Sequence, residues 1–166
     1  KVDATRGYGA HVRLVGETID GSLAAATAFA AETGAVLVHP FDHVDVIAGQ
    51  GTVGLEILED VPDVATVLVP TGGGGLLGGV AAAIKGRRPD ARIVGVQAEA
   101  AAAWPESLRH GGPVALDRMR TIADGIAVGV PGAVTYPQVA ALVDEFVVVG
   151  EDALALGIAL AGPFHA

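Results

Sequence analysis

The chain has 166 residues, of which 51% are hydrophobic and only 17% charged, with 10 basic side chains against 19 acidic ones for a net charge of −9 and no cysteine. A surface of that sign repels a phosphate backbone, and no basic cluster exceeds Arg87-Arg88, so nucleic acid is excluded as a partner class. The missing thiols exclude disulfides, thiol catalysis and thiolate metal sites and fit a reducing, cytoplasmic setting.

The sequence opens at Lys1 with neither a charged leader nor an apolar signal region, and reads as a piece of something larger. KVDATRGYGA looks like the tail of a helix stopped by glycines. HVRLV then predicts a strand, Gly16 a turn, and Leu23, Ala26 and Ala30 a helix that ends at Gly34. AVLV at 35–38 predicts the next strand. His39-Pro40-Phe41-Asp42-His43 carries imidazoles and a carboxylate that could be read as metal ligands, but the proline and aspartate favour a turn. Val44 to Asp60 resumes a helical pattern, Pro62-Asp63 turns the chain, and Val67 to Val69 reads as a buried strand. Gly72, Gly73, Gly74 and Gly75 follow, and Leu76, Leu77, Val80, Ala81 and Ile84 recur at helical spacing. Beyond Gly86 to Asp90, Arg92 to Gln97 predicts a strand, and Ala98 to His110 a helix despite Pro105. Gly111-Gly112-Pro113 breaks it. Thr121 to Gly132 reads as a loop, Thr135 to Val143 as a helix, Glu145 to Val149 as a strand, and Glu151 onward as a last helix running to PFHA.

Strands alternating with helices imply an α/β fold, a parallel sheet with helices on both faces and ligands outside the carboxyl ends of its strands. Val64 to Ile84 carries no charge, yet the proline, threonine and glycines at its centre argue against a membrane span.

The glycine run sits at such a strand end. Without Cβ atoms its backbone can turn so that N–H groups converge where the next helix presents its positive end, which makes a cradle for a phosphate or carboxylate. It lacks the Gly-Lys-Ser/Thr ending of a nucleoside-triphosphate loop. Gly73, Gly75 and Gly78 do satisfy GxGxxG, and Glu99 follows about twenty residues later, so a nicotinamide dinucleotide stays open as a ligand. A plain tight turn that lets helix and sheet approach is the third reading.

KVDATRGYGA, HPFDHVDVIAGQGTVGLEIL, VPTGGGGLLGGVAAAIK and TIADGIAVGVPG, in this order, resemble the middle of the threonine ammonia-lyases (threonine dehydratases). These are pyridoxal-phosphate enzymes of fold type II, the tryptophan synthase β-like group that also holds serine dehydratases and serine racemase. The resemblance covers almost the whole chain and shifts the preferred ligand from a dinucleotide to pyridoxal 5′-phosphate (PLP). It implies an incomplete two-domain enzyme, with residues 1–39 part of the smaller domain, 40–166 the core of the larger PLP-binding domain, and the cofactor between them. Gly72, Gly73, Gly74, Gly75 and Leu76 match the family's phosphate loop. Gly125 matches a glycine whose backbone runs close to the pyridine ring, and Asp124 beside it is expected to bond locally rather than act as an acid. The implied reaction is β-elimination of threonine to 2-oxobutanoate and ammonia in isoleucine precursor synthesis, by a homo-oligomer acting on a small amino acid, with neither membrane nor nucleic acid as partner.

Some expected parts are missing. The family's Schiff-base lysine belongs to an upstream segment, and only Lys1 and Lys85 are present. Lys85 closes the helix after the glycines and, at about 1.5 Å per residue, lies roughly 15 Å from their phosphate end. No catalytic residue is therefore assigned. The Ser-x-Gly-Asn-His segment and the partner of the pyridine nitrogen are absent too. Where some relatives place carboxylates for a divalent cation, Gln97 and Ala103 stand, so no metal is expected. A module that keeps the cradle without chemistry is the remaining alternative.

Overall fold

The computed structural model describes residues 1–16 and 18–161. The closing PFHA lies outside the described residues. The chain divides into two compact units, Lys1–His39 and Pro40–Ala166.

In the first unit, α1 (Val2–Gly7) and α2 (Ile19–Thr33) are the regular elements. Thr18 caps α2, its side chain accepting from the Gly21 amide, and Gly34 ends it at φ 73°, a conformation that a Cβ would disfavour. The strands expected at 11–15 and 35–38 do not form. Their apolar pattern is right, but a strand exists through bonds to a neighbour, and no described segment pairs with either. Val36 is 90% exposed as a result.

The second unit is built on a parallel sheet in the order β1 (Thr66–Pro70), β2 (Arg92–Ala98), β3 (Glu145–Val149). Thr66 pairs with Arg92 and Val94 with Glu145, and both ladders run in register to the carboxyl ends. The buried strand expected at Val67 to Val69 is buried on one face only: Val67 and Val69 are buried, while Leu68, which the strand's alternation turns to the other face, is 65% exposed. The buried face packs on α4 (Gly75–Lys85) through Leu77, Val80, Ala81 and Ile84, with Trp104 and Val139 completing the core. α3 (Val44–Asp60) lies against α4. It can do so closely because Gly51, Gly54 and Gly79 stand at the crossing: a Cβ on Gly79 would come within 2.7 Å of the Gly51 amide nitrogen.

The helix expected over 98–110 is interrupted. A 3₁₀ turn (Glu99–Ala101) precedes α5 (Ala103–His110). Pro105 thereby falls in the first turn of α5, where an amide would have no intrahelical partner and its loss costs little. The stretch from Thr121 to Gly132 is a loop with a 3₁₀ turn (Asp124–Ile126), followed by α6 (Thr135–Leu142) and, after β3, α7 (Glu151–Ala161). At the amino end of the sheet, Lys85 meets Asp144 at 2.9 Å, and Asp144 also accepts the Ile93 amide at 2.7 Å. That clamp leaves the opposite, carboxyl end for the site.

Candidate functional site

The site begins where β1 ends. Thr71 continues the ladder for one bond, its amide donating to the Val96 carbonyl at 2.8 Å, and its buried hydroxyl turns back onto the Val69 carbonyl. The chain then enters Gly72 to Gly75, and Gly74, at φ 100°, is the N-cap of α4.

What orients this loop is the fate of its carbonyls. The indole nitrogen of Trp104 donates to the Gly72 carbonyl at 2.8 Å. The Gly73 carbonyl accepts both the Thr135 hydroxyl at 2.7 Å and the Gly132 amide at 3.0 Å. The Gly74 carbonyl accepts the Gly78 amide as the first bond of α4. In a trans peptide the N–H points opposite to the C=O, so fixing these oxygens toward the protein turns the amides of Gly73, Gly74 and Gly75 the other way. Among the described residues, none of the amides from Gly72 to Leu77 donates to a protein acceptor. Undonated N–H groups at the positive end of an eleven-residue helix are what an anion requires.

The reading of the glycines as close-packing residues is also met, on the loop's other side. A Cβ on Gly73 would enter the Phe41 ring, one on Gly75 would lie 2.7 Å from the Phe41 carbonyl oxygen, and one on Gly72 would lie 2.9 Å from the Val128 side chain. On Gly74 it would meet Trp104 at 2.5 Å and the Thr135 hydroxyl at 2.9 Å. Packing fixes the loop and the fixed loop presents its amides, so the two uses do not compete.

Several residues support the loop in ways that no sequence motif shows. Trp104, fully buried, stacks on Tyr136 at 5.9 Å and on Phe146 at 5.5 Å, which sets its indole under the loop. Gln97 is also fully buried; its amide nitrogen donates to the Thr71 and Ala101 carbonyls and its oxygen accepts the Trp104 amide at 3.0 Å. All its polar atoms are thus engaged in joining β2 to α5, and Ala103 is buried nearby in sequence with no ligating atom on its side chain. Asp42 bonds the amides of Ala133, Val134 and Thr135 at 2.9–3.0 Å, capping α6 from a distant stretch of chain, while His43 caps α3 through the Asp45 amide. The turn expected at 39–43 is in this way a pair of helix caps.

Of the other residues singled out from sequence, Leu76 is half-buried in the first turn of α4, next to the amide run. Gly125 lies exposed in the Asp124–Ile126 turn, and a Cβ there would meet no atom within 4 Å. The same loop touches the cradle at Gly72, whose added Cβ would lie 3.3 Å from the Ile126 backbone. Asp124 opens the turn, its carbonyl accepting the Ala127 amide. Gly78 is buried inside α4 against Gln138 and Val139, and Glu99 is exposed in the 3₁₀ turn after β2. Lys85 is engaged with Asp144 at the far end of α4.

Over residues 1–162 the chain matches the family described as pyridoxal-phosphate dependent enzyme. It is 51% identical over 158 residues to an L-threonine ammonia-lyase of Geobacter sulfurreducens, an alignment that covers 95% of this chain and 39% of that protein. Among solved structures, the processed form of threonine deaminase isoform 2 from Solanum lycopersicum shares 38% identity with a TM-score of 0.89, over 95% of this chain and 46% of the other. Maize serine racemase gives a TM-score of 0.90 at 37% identity, over 96% and 50%. The chain therefore spans about half or less of the proteins it matches. The dinucleotide reading gains no support, since the glycine loop lies within a match to PLP enzymes.

Proposed function

The chain belongs to the pyridoxal-phosphate dependent enzyme family, and on that premise we propose that it is part of a threonine ammonia-lyase, converting threonine to 2-oxobutanoate and ammonia. The observation that carries the reading is the run of undonated amides from Gly72 to Leu77, held in place by Trp104, Thr135 and Gly132. The 51% identity to an L-threonine ammonia-lyase, against 37% to a serine racemase, supports threonine over serine as substrate.

PLP, the family's cofactor, supplies an electron sink for bonds at the amino acid's α-carbon when bound. The chain's part is to bind and orient it. Gly72, Gly73, Gly74, Gly75 and Leu76 would receive the phosphate, with hydrogen bonds to a dianion strengthened by the α4 dipole. Phe41 and Trp104 keep the loop's underside dry and rigid, so that the amides need no reorganisation when charge arrives. Gly125, with open space where a side chain would stand, would let the backbone come close to a flat ring. No lysine, acid or hydroxyl of the chain is placed as the proton-transferring group.

We assign residues 1–39 to a smaller domain and 40–166 to the core of a larger one, supported by the division of the chain after His39. A cytoplasmic homo-oligomer feeding isoleucine synthesis completes the proposal. Among the described residues, no helix is long and apolar enough to cross a membrane. The test is release of 2-oxobutanoate from threonine by the full-length enzyme, with and without PLP. PLP-dependent release that exceeds pyruvate release from serine is expected; turnover that ignores PLP contradicts the reading.

A further inference from the structure

Asp42 does more than cap a helix. Its Oδ2 accepts the Ala133 amide at 2.9 Å, and its Oδ1 accepts the amides of Val134 at 2.9 Å and Thr135 at 3.0 Å. The first amides of a helix have no acceptor within it, so both carboxylate oxygens meet donors that need them. Gly132, just before them, is buried, and a Cβ on it would collide with Asp42 Oδ1. The carboxylate is thus fitted to a turn of backbone that lies 91 to 93 residues further along the chain.

That same turn carries both donors to the Gly73 carbonyl, the Gly132 amide at 3.0 Å and the Thr135 hydroxyl at 2.7 Å. The peptide joining Gly73 to Gly74 bears this carbonyl on one side and the Gly74 amide on the other. A shift of the turn therefore rotates that peptide and re-aims one amide of the cradle. Asp42 does not hold α6 by itself. The Tyr136 amide closes the turn on the Gly132 carbonyl at 2.9 Å, the Tyr136 ring stacks on Trp104, its hydroxyl donates to the Ser107 carbonyl at 3.1 Å, and Val139 is buried in the core. These anchors act from Tyr136 onward and keep the helix docked. Asp42 acts on Ala133, Val134 and Thr135, the residues that lead from one donor to the other.

We infer that Asp42 is a positioning residue for the phosphate cradle: by fixing the backbone from Ala133 to Thr135 it keeps the Gly132 amide and the Thr135 hydroxyl together on the Gly73 carbonyl, and so keeps the Gly74 amide turned to the side that receives the phosphate. This rests on the proposed PLP site. The role concerns the phosphate and not the ring, so it is read from the preference of the full-length enzyme for PLP over pyridoxal, which lacks the phosphate. Asp42→Ala should lower that preference by at least about fivefold, as one charge-assisted hydrogen bond is partly lost, while pyridoxal affinity stays within about threefold. Asp42→Asn keeps an oxygen for Val134 and Thr135 and gives up the acceptor for Ala133. Its preference should fall between the two, at least about twofold below that of the unsubstituted enzyme.

Two comparisons separate positioning from mere support of the fold. His43→Ala removes the neighbouring cap, that of α3 through the Asp45 amide at 3.2 Å, which bears on neither donor to Gly73. Its preference for PLP over pyridoxal should stay within about twofold of the unsubstituted enzyme. The phosphorus magnetic resonance of bound PLP should shift in Asp42→Ala and not in His43→Ala, because only the first moves a donor of the phosphate. An unchanged preference in Asp42→Ala, or in Asp42→Asn where the alanine variant does not fold, overturns the role of Asp42 alone. An equal loss in His43→Ala overturns it too, since the effect is then one of stability. No preference for PLP over pyridoxal in the unsubstituted enzyme overturns the cradle reading itself and this role with it.

Discussion

Trp104 shows how much of the site depends on one side chain whose role is not written in a motif. Its indole nitrogen holds the Gly72 carbonyl, and its ring stacks between Tyr136 and Phe146. Trp104→Phe keeps an aromatic body and removes the donor, so the expected cost is about 1 kcal/mol in a urea midpoint together with weaker PLP binding, as the Gly73 amide loses its fixed direction. Asp144 offers a separate test at the other end of the sheet. The Ile93 amide, followed by Lys85, pulls its carboxyl below the ordinary range. A lowered folded-state pKa means that the stabilisation is present above the normal carboxylate range and fades as pH falls through the lowered value. The gap in melting temperature between the unsubstituted protein and Asp144→Asn should therefore be open at neutral pH and close in acid. A gap that does not vary with pH contradicts the assignment. The glycines are legible in the sequence because four in succession have few uses; Trp104 and Thr135 are silent there, and Asp42 and Gln97 show only as a turn residue and a missing metal carboxylate, because each acts on backbone groups far away in the chain.

At the scale of elements, the crossing of α3 and α4 separates glycines that are needed from glycines that are not. A Cβ on Gly79 would press on the backbone at Gln50 and Gly51, atoms that cannot swing aside. Gly79→Ala should destabilise by about 1–3 kcal/mol through overpacking, despite the better helix propensity of alanine. Gly49, in the same helix as Gly51, faces open space, and Gly49→Ala should stabilise by roughly 0.5–1 kcal/mol. Equal effects from the two would show that propensity rather than packing governs this crossing. Helices are the most legible elements, since α2 and α3 carry their own stops and periodicity. The segments at 11–15 and 35–38 carry a strand pattern without forming strands, because a strand needs a neighbour and an apolar run reports burial rather than pairing. The loop from Thr121 to Gly132 is irregular, as its glycines and proline imply, but nothing in its composition shows that it meets Gly72 at one end and Glu151 at the other.

For the molecule as a whole, large apolar side chains remain uncovered, among them Leu68, Val36, Ile158 and Leu160 at 63–90% exposure. Each forfeits about 1.5–3 kcal/mol of burial if left in water, so the 166-residue polypeptide on its own should self-associate. A monodisperse monomer in sedimentation, with a cooperative melt, would contradict this. The same polypeptide should not release 2-oxobutanoate, because Lys85 is held by Asp144 and no other lysine than Lys1 is present. The central claim is that the fixed amides of the glycine loop hold the phosphate of PLP. It is tested most directly by titrating the full-length enzyme with PLP and with pyridoxal, which lacks the phosphate, alongside NAD as a competitor ligand. PLP should bind at least about tenfold more tightly than pyridoxal, the equivalent of one or more charge-assisted hydrogen bonds, Gly74→Val should abolish that preference, and Glu99→Gln should leave it intact. Equal affinity for PLP and pyridoxal, or NAD binding that Glu99→Gln destroys, would contradict the account.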